Sequence, residues 1–72
     1  MKQETALEIA SVLLQNTLEK NISDYNVRKV SYDKNEKVWV VRFIIDESTA
    51  GGDINFSLSQ KTGEVKLIWF GE

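Results

Sequence analysis

One stretch constrains this chain more than any other. Val38–Ile45 (VWVVRFII) holds seven apolar side chains, most of them β-branched or aromatic, interrupted only by Arg42. Strand side chains alternate between faces, so a run that is apolar at both parities belongs to a central strand with substantial cover on both faces. The chain has 72 residues with which to supply that cover. This is a single domain, and at such a length only about 60% of the unfolded surface can be buried.

The cover begins with a helix. Over residues 3–20 a wheel of helical pitch puts Ala6, Leu7, Ile9, Ala10, Leu13, Leu14, Thr17 and Leu18 on one side. Glu4, Glu8, Ser11, Gln15 and Glu19 take the other, and Val12 falls among them. Thr5 and Glu8 have the spacing of a capping box, and Lys20 with Asn21 suits a carboxyl-terminal cap. Four strands follow, near 26–33, 37–46, 53–60 and 64–70. Asp33–Lys37 reads as a turn with Asn35 at its positive-φ position, and Gln60–Gly63 as a hairpin with Gly63 in the left-handed region. Asp46–Asp53 (DESTAGGD) is a polar loop with paired glycines. A helix followed by consecutive strands, with no βαβ alternation, predicts the α+β class: one N-terminal helix packed on a four-stranded antiparallel meander sheet.

One helix covers one face. Ile54, Phe56 and Leu58 alternate cleanly and are assigned to it. Arg42 would be costly beneath a helix, so Trp39, Val41, Phe43 and Ile45 are the inward set of the second strand. In the last strand Lys66 argues for Val65, Leu67 and Trp69 inward. The first strand stays open, since Val30 and Tyr32 share parity with Arg28. The other face then carries Val38, Val40, Arg42, Ile44, Ser57, Ser59, Lys66, Ile68 and Phe70. That is too apolar for a face that meets only water. Either the sheet curls and loops cover it, or it is a surface for self-association or a partner.

Composition narrows the chemistry. The chain has no histidine and no cysteine, which removes imidazole acid–base work, thiolate nucleophiles and the commonest metal ligands. Asp46, Glu47 and Asp53 cluster at the glycine loop, but nothing apolar beside them would raise a pKa, and they lack the spacing of an EF-hand. Ala50-Gly51-Gly52-Asp53 lacks the lysine of a phosphate-binding loop. Nine basic against eleven acidic residues give a net charge of −2, which disfavours nucleic acid. The first residues form no continuous apolar segment and no run approaches about 20 apolar residues, so neither a leader nor a membrane span is read and the expected compartment is the cytoplasm. No cofactor is implied. The expectation is a non-enzymatic protein-binding domain, with a homodimer through the open sheet face as one form of association. The expected contact residues are Arg42, Ile44, Asp46, Glu47, Asp53 and Phe70.

Three segments carry a family resemblance. Ala6-Leu7-Glu8-Ile9-Ala10, Lys37-Val38-Trp39-Val40-Val41, and Gly51-Gly52 followed by a strand and Lys61-Thr62-Gly63-Glu64-Val65 occur in that order. Together they resemble small bacterial immunity proteins of the nuclear-transport-factor-two-like (cystatin-like) fold. The same order is similar to the bacterial peptidase-propeptide (PepSY) domain. The first resemblance implies a toxin-neutralising protein that works by stoichiometric binding. The second implies a propeptide-like modulator or inhibitor of a protease. Such immunity proteins share no fixed functional residues, so no site is carried over. A ligand-binding cystatin-like domain that works only as an oligomer is the remaining alternative.

Overall fold

The computed structural model describes residues 1–49 and 51–71. A helix, α1 (Gln3–Val12), runs into a π-helical turn (Leu13–Thr17). A 3-10 turn (Ile22–Asp24) leads to β1 (Val27–Asp33), β2 (Val38–Ile44), β3 (Ile54–Ser59) and β4 (Val65–Phe70). The strands form one antiparallel meander in the order β1-β2-β3-β4, which is the predicted α+β arrangement.

The helix differs from its sequence reading at both ends. It starts two residues before Thr5, with Lys2 at the N-cap and no side-chain cap, so the capping box is not formed. It stops at Thr17 rather than residue 20. The last turns widen: Leu18 N–H donates to Leu13 C=O at 3.1 Å and Lys20 N–H to Leu14 C=O at 3.0 Å. Glu19, at φ 54°, takes the left-handed position that the sequence suggested for Asn21. Asn21 instead caps the 3-10 turn, accepting from Ser23 N–H.

Ala6, Ala10 and Leu14 are wholly buried and form one core with Val41, Phe43, Ile54, Phe56 and Leu58. Two alanines at the contact let the helix lie close to the sheet. Phe43 and Phe56, diagonal neighbours on β2 and β3, meet edge to face with centroids 5.8 Å apart, and Tyr25 adds a second edge-on contact to Phe43. Val12 is exposed, as its place on the wheel predicts.

Register settles the faces. Trp39, Val41 and Phe43 stand opposite Leu58, Phe56 and Ile54, and all six lie on the helix side. β1 brings Arg28, Val30 and Tyr32 to that side, which resolves the open choice. Tyr32 lies beside Trp39 with centroids 5.1 Å apart.

β4 reverses the sequence assignment at Leu67 and Trp69, while Val65, opposite Leu58, is on the helix side as read. Phe56 pairs with Ile68 and Ile54 with Phe70, while Asn55 pairs with Trp69 and Ser57 with Leu67. Ile68 and Phe70 therefore share the helix side, and Leu67 and Trp69 the open side. A register irregularity between Ser57 and Leu58 sets Leu58 opposite Val65 and displaces Lys66. Lys66 is exposed at the sheet edge, so its charge does not force Leu67 and Trp69 onto the helix side.

The turns follow local chemistry. Asp33 accepts from the Asn35 and Glu36 N–H groups, and Lys37 rather than Asn35 takes positive φ, at 56°. Gly63 has the predicted positive φ of 77°. Gly52, at φ 79°, is held close to Ile45: an added Cβ would lie 2.7 Å from its Cδ1.

Candidate functional site

The open side of the sheet is a grid of four short rows. Its central row crosses every strand: Lys29, Arg42, Asn55 and Trp69. The row beside it is Ser31, Val40, Ser57 and Leu67. In both rows β3 contributes a small or short side chain between larger ones on β2 and β4. Asn55 and Ser57 are buried between these larger neighbours. Their neighbours stand higher: Leu67 is 58% exposed and Trp69 36%.

Asn55 organises the row. Its Oδ1 accepts from Arg42 Nε at 2.9 Å. Its Nδ2 donates to Asp53 Oδ2 at 3.0 Å and to the Trp69 carbonyl at 3.3 Å. A second guanidinium nitrogen of Arg42 lies 3.5 Å from the same Asp53 oxygen. Arg42 is thus drawn toward β3 and away from Lys29, its cross-strand neighbour of like charge. Hydrogen bonding from Asn55, together with that of its own backbone and the adjacent guanidinium, holds the Asp53 carboxyl below the usual carboxylate range against the opposing effect of burial. Gly71 closes the end of the row. Its N–H donates to the Asp53 carbonyl at 2.9 Å, and a Cβ there would lie 1.7 Å from Asp53 Oδ1. Only glycine leaves room for that carboxylate. Every buried side-chain polar atom among the described residues has a hydrogen-bond partner.

The six expected contact residues do not form one patch. Arg42 and Asp53 are joined through Asn55, and Ile44 is next to Arg42 on the open side, opposite Val27. Asp46 is engaged in its own turn, where Oδ1 accepts from the Ser48 N–H and hydroxyl. Bonds from Thr49 and Ser48 lower its pKa. Glu47 is exposed in the same turn. No group of three carboxylates among the described residues is close enough to hold a metal ion, so the loop acids do not converge. Ala50 of the glycine loop lies outside the described residues. Phe70 is exposed but on the helix side, opposite Ile54, and so stands apart from Arg42.

Sequence reasoning missed Asn55, Leu67 and Trp69. The parity of Asn55 with Arg42 was readable once the β2–β3 register was known. The two β4 residues were hidden by the irregular register. No helix among the described residues is long and apolar enough to cross a membrane. No family model matches the chain, and neither a curated protein nor a solved structure does.

Proposed function

We propose that this domain is a non-enzymatic binding protein that docks one protein partner on the open face of its sheet, and that the partner is a bacterial toxin it neutralises. One observation carries the first half: Trp69 and Leu67 stand exposed beside an arginine whose position is fixed by Asn55 and Asp53. Tryptophan and arginine supply much of the binding energy in protein interfaces, and a pre-positioned arginine loses less freedom on docking. The low middle strand between two taller ones gives the face relief that a protruding partner side chain can fill.

The electrostatics suit a mixed interface. Lys29 and Arg42 place cations at the centre, while Asp46 and Glu47 place carboxylates at the loop end. Such an arrangement fixes orientation and speeds encounter, and salt weakens it. The toxin as partner rests on the motif resemblance alone.

The test is co-expression with a toxin encoded beside this gene, read as survival and as a one-to-one complex by size exclusion. Protection lost on Trp69→Ser but kept on Glu8→Ser supports the reading. Absence of both protection and complex overturns it, and a complex with an adjacently encoded protease transfers the domain to the propeptide-like class.

A further inference from the structure

β4 has the sequence of an interior strand and the position of an edge strand. Val65, Leu67, Trp69 and Phe70 are 39%, 58%, 36% and 62% exposed. Only Ile68 packs against the core. The exposed apolar groups lie on both faces, Leu67 and Trp69 on the open side and Phe70 on the helix side. The opposite edge is built differently. β1 carries Arg28, Lys29 and Asp33, and charged side chains are how an edge is kept from pairing. β4 carries one charge, Lys66.

The backbone has a matching asymmetry. Gly71 N–H faces β3, where it donates to Asp53. Successive residues of an extended strand turn their N–H and C=O groups to alternate sides. Phe70 and Ile68 therefore turn theirs to the outer edge.

We propose that β4 pairs antiparallel with β4 of a second copy, about a two-fold axis normal to the sheet at Ile68. This rotation keeps both helices on one side and joins two four-stranded sheets into one. Ile68 meets its own counterpart. Leu67 meets Trp69 of the other copy on the open side. Lys66 meets Phe70, whose ring gains the aliphatic stem of that lysine as cover. The two lysines never face each other, so no like charges oppose the pairing. The area removed from water is on the order of 1,000 Å² in total, near the lower bound for a specific interface, so association is concentration-dependent. The backbone pairing uses the outer edge of β4, and the Leu67 and Trp69 side chains that it brings together at the seam also belong to the proposed docking face.

Sedimentation equilibrium of the full chain from micromolar to millimolar concentration tests this, with amide exchange as the second readout. The mass should climb from 8.2 kDa toward twice that value, and the Ile68 and Phe70 amides should exchange more slowly at high concentration. Phe70 is exposed enough that its replacements fold, as circular dichroism will register. Phe70→Lys sets like charges opposite each other twice and should weaken the dimer by at least about tenfold, whereas Phe70→Glu sets opposite charges together and should retain it. A monomer at every concentration overturns the proposal. So does a dimer that responds equally to the two replacements, or one that dissolves instead on Val40→Ser, which would be stacked face to face.

Discussion

Ile54 and Phe70 stand opposite each other across β3 and β4, yet Ile54 is 3% exposed and Phe70 is 62% exposed. The helix side of the sheet stops being covered within one strand spacing. Two alanines in α1 draw the helix toward the sheet, and the core it seals runs from Val41 and Phe43 to Ile54, Phe56 and Leu58. β4 is left with apolar side chains on both faces, and from that come both the exposed Trp69 and the unprotected edge.

Leu14 ties the helix to the sheet through the core that they share. Leu14→Ala removes a wholly buried side chain and should cost about 2–5 kcal/mol, read from the urea midpoint. Phe70→Ala, in the same sheet, should change stability by less than about 1 kcal/mol, since the ring is mostly in water already.

Asn55→Ala should cost about 1–3 kcal/mol, because it strips partners from Arg42, from the partly buried Asp53 and from the Trp69 carbonyl. In the nuclear magnetic resonance spectrum the Arg42 Nε–H signal should lose its protection from exchange. An unchanged signal would mean that Arg42 is held by something other than Asn55.

Gly71→Ala tests the close approach to Asp53. The added methyl group forces the carboxylate out of the row, with an expected loss of about 1–3 kcal/mol. Combining it with Asp53→Ala should recover part of that loss, because the clashing oxygens are gone. Equal losses in the single and double variants would place the strain elsewhere.

Acid should act through Asp53 and Asp46. Both folded-state pKa values are depressed, Asp53 first by its bond from Asn55 and Asp46 first by its bond from Thr49. Their contribution is complete above the unfolded carboxylate value of about 3.9 and is lost as pH falls through the lower folded values. Thermal stability should therefore be level from neutrality down to about pH 5 and fall below about pH 4. Asp53→Asn should flatten part of that acid limb.

Much of the fold was legible because its signals are periodic. The helical stripe from Ala6 to Leu18, the alternation of Ile54, Phe56 and Leu58, and the position of Gly63 each follow from one local rule. Arg42 was placed on the open side by the cost of burying its charge, and it is there. Leu67 and Trp69 of β4 were misread as inward for two reasons. Leu67-Ile68-Trp69-Phe70 is apolar at both parities, so periodicity is silent. The tie was broken on Lys66, which is displaced where the register slips and is exposed at an edge. The polar centre was half legible: Arg42 and Asp53 stand out as charges, but Asn55 gains its role only from a cross-strand partner thirteen residues away.

The central claim is that the open face around Trp69 is the docking surface. The most direct measurement is a titration of the isotope-labelled domain with the proposed partner, a toxin encoded beside its gene, followed residue by residue in amide spectra. The account predicts saturation at one-to-one stoichiometry, with the largest shifts at Lys29, Arg42, Leu67 and the Trp69 indole, and at least about a tenfold weaker affinity for Trp69→Ser. Saturable binding whose shifts map to the exposed side of α1 at Glu8 and Val12, with the Trp69 indole unmoved, would contradict it.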